Sequence, residues 1–518
     1  MRRWVIRKRS LVYGSMAYIY IPIIIFIFGW TKLPIAIICT AAAVYGVICL
    51  LKDYNVRGDY KGQELRISPW ILIISILFLL VVGYYAGWGR FVSQAGDWFK
   101  HNAVLSDLLN KSWPVYYLNG VGGSMEEHSM LTYYIAQYLV PAVFGKILHS
   151  YRVSEIVNYI WAEIGLILVF LNMIRILQIK TTRMQLSTVF LLCFFSGPLL
   201  LGQKILELAY PLEDSMVNSY HWLSYHNNIR LQYSSNYTML RWVFPQVIAI
   251  WLIVLLFIEH KEKIEDYVAL MLPALLFGTF SFIGMLPIAF IMVLLSLVRN
   301  KDIRNWIKHI FSIPNVFISS TLGTVLILYF YGNITGKKPD SLLFSPINYS
   351  NGNEWKYVIF VFTMVLIYGI FLFAHNRKNP LFYITLAELV ILPLFKMGLY
   401  NDLVMRCSIP GLFILFIMVV DYFNKVTVTG FHKMNALYKL CTICLTVTVL
   451  IGFIYPFKEF TDSIIEDDLL KLGDKAEVLS LEAYANRYTS GIPDDYKYNY
   501  YSYDLDENAF YKYIARIK

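Results

Sequence analysis

Asp97, Lys100 and His101 stand close together in the polar stretch Gly96–Tyr117, GDWFKHNAVLSDLLNKSWPVYY. The stretch directly follows Ile67–Gly89, an uncharged apolar run. Such a run is long enough to cross a bilayer, which takes roughly 20 residues. A carboxylate, an ammonium and an imidazole are thus presented where the chain meets water. Together they suit proton transfer on a substrate held at a membrane surface. Asp97 and His101 are spaced i, i+4 and share one face if Trp98–Asn110 is a helix. Phe99, Leu105, Leu108 and Leu109 would give that helix an apolar stripe to lay on the membrane. Aspartate is also a favoured helix N-cap, and a cap uses only one carboxylate oxygen, so the two roles are compatible.

Three further polar segments fall in the same outer region. GGSMEEHSMLTYY carries Glu126, Glu127 and His128, as substrate ligands or as a solvated rim. The loop Gly202–Met239 holds Glu213, Asp214, His221, His226 and Arg230. Arg241 and Gln246 follow it in RWVFPQ, at the water boundary of a span, where arginine serves equally as a snorkelling anchor. The turn GLYNDLVMRCSIP carries Asn401, Asp402 and Arg406. An outer arginine runs against the positive-inside bias, which marks Arg406 for phosphate contact. Glu163 and Glu388 lie within apolar blocks, as functional carboxylates or as hydrogen-bond bridges between helices. Cys441 and Cys444 form a C-x-x-C in an apolar block and read as packing residues. Metal-ligand spacing, a Gly-rich nucleotide loop and a GxSxG elbow are absent from the sequence.

The elements that must position these groups are membrane helices. The chain is 518 residues long, 58% hydrophobic and only 15% charged, too little charge to cover a soluble surface. Its apolar blocks predict an all-α polytopic protein of about 13 crossings at about 20 residues each. The crossings are Leu11–Trp30, Pro34–Leu51, Trp70–Gly87, Val157–Leu177, Leu186–Leu201, Trp242–Ile258, a hairpin of Tyr267–Phe280 and Ile283–Val298, then Val316–Tyr331, Tyr357–Phe373, Phe382–Phe395, Pro410–Phe423 and Leu437–Tyr455. Leu131–Leu148 reads as re-entrant or interfacial. The net charge is +10, yet residues 456–518 hold 8 Lys/Arg against 13 Asp/Glu. The basic excess therefore sits in short loops and reports orientation, with the N-terminus cytoplasmic and Asp97 outside the plasma membrane. It does not form a nucleic-acid surface. Two regions follow: a transmembrane domain, 1–455, with the candidate active site in outer loop 88–130, and an external, acidic, Tyr-rich tail, 456–518, packed on the outer face.

Asp97 in the first large outer loop, His101 after it, Trp113–Pro114, and a polar turn before LTYYIAQYLVPAVFGKIL resemble the GT-C superfamily of integral membrane glycosyltransferases. Its members include protein O-mannosyltransferases and the aminoarabinose transferases of lipid A. WVFPQ and NDLVMRCSIP are similar to segments of bacterial members. The resemblance implies a GT-C-like helical bundle with Asp97 as the catalytic acid residue and His101 beside it. It implies a sugar donor on a polyprenyl phosphate and a glycan, lipid or protein acceptor; in-line displacement predicts inversion at the anomeric carbon. Lys100, Glu126, Glu127, His128, Arg241, Gln246, Asp402 and Arg406 would bind substrate. Trp98 follows Asp97 where a second acid is common, which leaves a divalent cation an open question. A polysaccharide polymerase or ligase and a lipid-linked glycan flippase are the competing readings.

Overall fold

A computed structural model describes residues 3–56, 64–117, 129–209, 220–223, 225–226, 229–299, 302–334, 344–349, 354–398, 401–466, 478–488, 500–502, 505 and 508–516. It is all-α, with two- and three-residue strands only at the two ends of the bundle. The chain begins with a short strand β1 (Trp4–Ile6), then α1 (Lys8–Trp30) and α2 (Leu33–Val56). Strand β2 (Leu65–Ile67) pairs antiparallel with β1 and leads into α3 (Pro69–Tyr85). Helices α4 (Trp98–Asn110) and α5 (Ala136–Leu148) precede the long α6 (Tyr151–Ile176). Then come α7 (Thr182–Phe194), α8 (Leu199–Ala209), α9 (Asn236–Trp242) and α10 (Ile248–His260). Two short helices, α11 (Tyr267–Met271) and α12 (Ala274–Phe277), lead to α13 (Thr279–Arg299).

Among the described residues, eight helices are long and apolar enough to cross a membrane, or up to ten if each of two bent pairs is one span. That is fewer than the thirteen crossings expected, and the difference lies in three stretches. Trp70–Gly87 became the 17-residue α3. Phe382–Phe395 became a short apolar helix over Pro380–Leu394. Tyr267–Phe280 is broken at Leu272–Pro273 into helices of five and four residues. Proline lacks the amide proton that would continue the helix, and its ring restricts the residue before it. The 13-residue α5 is buried at Ala136–Ala142 and Gly145 and exposed at Phe144, Ile147 and Leu148.

Two helices form the axis. The helix Asp402–Thr429 is 89% buried over its apolar window, and α10 is buried at every position from Ile248 to Phe257. Both are apolar on all sides, as a helix enclosed by other helices must be. One end of the bundle gathers Lys8, Arg175 and Glu259. The Lys8 Nζ lies 2.5 Å from Glu259, and Arg175 holds both carboxylate oxygens at 2.7 and 2.8 Å. Gln185 donates to the Arg66 carbonyl, and Arg299 pairs with Glu262 at 2.7 Å. The opposite end carries Asp97, Arg230, Asp402 and Arg406.

The C-terminal segment is stitched to that second end. Helix Ile454–Glu466 continues the last span and buries Glu459, Phe460 and Ser463 against the α9 region. Further on, Asp107 of α4 accepts from the Tyr117 hydroxyl at 2.6 Å and the Leu481 amide at 3.1 Å. Strand Tyr501–Ser502 pairs with Ser129–Leu131, and the Arg516 amide donates to the Trp30 carbonyl. Asp107→Ala leaves a buried hydroxyl and a buried amide without an acceptor, at about 1–3 kcal/mol. We expect faster proteolysis after residue 466 in that variant at unchanged helical content. Unchanged proteolysis would show that the strand pairing holds the segment by itself.

Candidate functional site

The break between α9 and α10 builds the site. Pro245 lies in the first turn after Val243, and the chain turns by 112° there. Helix α9 therefore ends early, leaving its last carbonyls without helical donors. Three ring N–H groups fill the gap. Trp88 donates to the Leu240 carbonyl at 2.9 Å, Trp98 to Arg241 at 3.0 Å and His101 Nε2 to Trp242 at 2.9 Å. This ladder fixes α4 against the end of α9 and sets where Asp97 stands.

A carbonyl only accepts, so the proton of His101 is on Nε2. Its Nδ1 then accepts from the Tyr138 hydroxyl. Both ring nitrogens are used inside the protein, and the ring is 1% exposed. Burial, then Lys100, push its pKa down to about 3, against the opposing pull of Asp97. His101 is a neutral support for α4, and it is not among the residues that line the cavity described below. The unfolded chain takes up this proton below about pH 6.5 and the folded chain does not. Stability should therefore fall as pH drops from about 6.5 toward 3. Thermal unfolding against pH should show a shallower acid slope for His101→Gln than for wild type; equal slopes would contradict this.

Asp97, at the head of α4, faces a cavity of about 350 Å³. Around it stand His221, Trp222, Arg230, Trp242, Asp402 and Arg406. The Asp97 side chain is 31% exposed, and its Oδ2 accepts from the buried Lys100 Nζ at 3.3 Å. Burial raises its pKa, but Lys100 foremost, then His101 and Arg406, outweigh that and hold it below the ordinary 3.8. With His101 neutral, the cations that act at neutral pH are Lys100 and Arg406. Asp97 makes no side-chain cap to α4, so its carboxylate is turned to the cavity and to Lys100.

Arg406 lies one turn into its helix. One guanidinium nitrogen meets Asp402 Oδ1 at 3.1 Å, and another donates to the Tyr134 hydroxyl at 3.0 Å. Its Nε has no partner among the described residues. Arg230 stacks its guanidinium over the Trp222 ring, 4.3 Å from the centroid. The cavity thus has two carboxylates, Asp97 and Asp402, and two guanidinium groups, Arg230 and Arg406, in its walls. Such a set recognises an anion beside a hydroxyl-bearing guest.

The other sequence-selected residues are placed differently. Lys100 does not line the cavity; its Nζ donates to Asp97, which does. Arg241 is 9% exposed and donates to the Glu459 carbonyl at 3.3 Å; it does not line the cavity. Gln246 is fully buried beside Gly278 and Ser281, past the bend, and also lies off the cavity wall. Glu163 packs beside Gly83 and Glu388 beside Gly411, each within the helices and away from the cavity. Glu126, Glu127, His128, Glu213 and Asp214 lie outside the described residues.

Sequence reading missed Glu459. Its carboxylate is 3–4% exposed, accepts from Thr238 Oγ1 at 2.6 Å and Trp242 Nε1 at 2.9 Å, and approaches His221 Nδ1 at 4.0 Å. Its sequence setting, PFKEFTD, looks like solvated tail, and nothing in it signals a buried carboxylate. Among the described residues no three His, Cys, Asp or Glu side chains gather as metal ligands. Asp97 and Asp402 each hold a cationic side chain, which does not suit a shared metal ion. In comparisons with protein-family models, curated proteins and solved structures, the chain has no significant match.

Proposed function

We propose that the protein is a membrane glycosyltransferase of GT-C type. It moves a sugar from a polyprenyl-phosphate donor to a cell-envelope acceptor on the outer face of the plasma membrane, with inversion. The observation that carries this reading is the meeting of Asp97 with Arg406 and Arg230 in one cavity of about 350 Å³. That is the size of a small-ligand pocket. The loops at the other end of the bundle hold the basic excess, which supports a cytoplasmic position for them and an outer position for the cavity.

In this reading the donor's phosphate sits at Arg406 and Arg230, whose charges stabilise the leaving group. The indoles of Trp222 and Trp242 offer flat apolar faces to the sugar ring. Asp97 engages the acceptor hydroxyl and draws off its proton as the oxygen attacks the anomeric carbon. The carbon–oxygen bond to phosphate breaks on the opposite side, and its electron pair leaves on the phosphate oxygen. In-line displacement inverts the anomeric centre.

The test is transfer from polyprenyl-phosphate sugars by the full chain in proteoliposomes. Expected is sugar release from the lipid that depends on the acceptor, from donor in the outer leaflet. Movement of intact lipid-linked sugar between leaflets without bond cleavage would contradict the reading and favour a flippase.

A further inference from the structure

A second groove, of about 450 Å³, opens on the outside of the bundle. Ile24, Ile25, Phe28 and Gly29 of α1 line it, together with Trp113 and Arg516, and none of these lines the Asp97 cavity. Gly29 has no side chain, and the Trp113 ring takes that space; a Cβ there would meet the ring at 2.8 Å. The Trp113 indole is fixed by its N–H on the Leu108 carbonyl at 2.8 Å. Ile21, Ile24, Ile25 and Phe28 recur at helical spacing and give α1 an apolar stripe. Ile21 is 41% and Phe28 44% exposed, so that stripe is turned outward and not into the bundle.

Arg516 is brought to the groove by its backbone. Its amide donates to the Trp30 carbonyl at 2.9 Å, and the Lys32 amide donates to the Ile514 carbonyl at 2.9 Å. Thr31 and Ala515 form a β-bridge between these two bonds. The Arg516 side chain is exposed, and its guanidinium has no hydrogen-bond or ion-pair partner among the described residues. An apolar groove thus ends at an unpaired cation.

Depth decides what fits there. The 23 residues of α1 rise about 35 Å, slightly more than a hydrocarbon core of about 30 Å. Lys8, at one end of α1, is paired with Glu259. Trp30 and the attached Arg516 therefore stand at the level of the opposite headgroups, with Ile24 and Phe28 inside the hydrocarbon. Trp113 is a residue type favoured at that boundary. A lipid already has its chain beside Phe28 and its phosphate beside Arg516, whereas a soluble guest would have to displace acyl chains to enter. We propose that the groove binds one anionic phospholipid of that leaflet. An acyl chain lies along Ile24 and Phe28, and the phosphate accepts from the Arg516 guanidinium, whose fork suits two phosphate oxygens. The bound lipid ties the C-terminal segment to α1. This site is independent of the glycosyl-transfer reading.

The experiment is native mass spectrometry of the full chain from micelles holding phosphatidylglycerol and phosphatidylcholine in equal amounts. Wild type should retain phosphatidylglycerol in preference. Arg516→Gln should lower that retention about fivefold, the effect of one basic residue at an anionic membrane surface. Arg516→Lys should recover most of it. Ile24→Trp fills the groove, leaves Arg516 in place and should also release the lipid. Lys204 stands at the same end of the bundle, beside Gln203, which donates to the Trp222 carbonyl, and is paired with Glu207 at 2.7 Å. Lys204→Gln should change nothing.

No preference between the two lipids, or the same loss in Arg516→Gln and Lys204→Gln, overturns the site. Displacement of the lipid by inorganic phosphate, with retention unchanged in Ile24→Trp, would show a free-anion site and overturns the lipid. Hydrogen exchange gives a local readout. Amides 508–516 should exchange more slowly in phosphatidylglycerol nanodiscs than in phosphatidylcholine nanodiscs for wild type, and alike in both for Arg516→Gln. Equal protection of the variant and wild type by phosphatidylglycerol contradicts the proposal.

Discussion

Asp97→Asn is expected to lower sugar transfer by about 100- to 10,000-fold, the range over which a positioned acid–base group contributes to a transition state. Asparagine keeps the shape and one acceptor oxygen but has no charge and accepts no proton. The change is mild for the fold. Asp97 makes no cap hydrogen bond to α4, and its side chain is partly open to the cavity. The cost that remains is the loss of the Asp97–Lys100 ion pair, whose ammonium is buried. The variant should therefore still fold and still bind donor, with the loss in kcat rather than KM. Because the carboxyl is held below its usual range, Asp97 itself should give no change in rate between about pH 5 and 8. Wild-type turnover in Asp97→Asn would reject its role in proton transfer.

Arg406→Ala carries the second large effect, a fall of about 100- to 1,000-fold, as when one preorganised stabiliser of developing charge is removed. Arg406 is already clamped by Asp402 and Tyr134, so in the proposed reaction it would meet the leaving phosphate without reorganising. Removal also leaves Asp402 without a cation, and some loss of stability follows. Arg406→Lys separates these contributions. It restores a charge but not a planar fork, so most of the stability and only part of the rate should return. Arg241→Ala is the useful contrast. Its guanidinium binds the Glu459 backbone and not the cavity, so it should affect thermal stability more than donor KM. Equal losses of rate in Arg406→Ala and Arg241→Ala would contradict this division.

Much of the arrangement was legible in the order of apolar blocks and basic loops. Counting crossings put Asp97, Arg230, Asp402 and Arg406 on one face, although they are far apart in sequence, and in the structure they line one cavity. What escaped has physical causes. Hydropathy does not separate a full span from a short or broken one, so Tyr267–Phe280 read as a crossing although Pro273 divides it. The 112° bend after Trp242 turns Gln246 away from the water boundary where its sequence position put it. His101 looked like a proton carrier by residue type. Only the free carbonyl of Trp242 and the Tyr138 hydroxyl show that its nitrogens are committed. Glu459 escaped because the groups that bond its carboxylate, Thr238 and Trp242, stand more than 200 positions away in the chain.

The most direct measurement is a cryo-EM reconstruction of the full chain in nanodiscs with a non-transferable phosphonate analogue of a polyprenyl-phosphate sugar. The phosphonate should lie within hydrogen-bonding distance of Arg406 or Arg230, with the anomeric carbon facing Asp97. Analogue bound at another place on the molecule, with the Asp97–Arg406 cavity empty, would contradict the account.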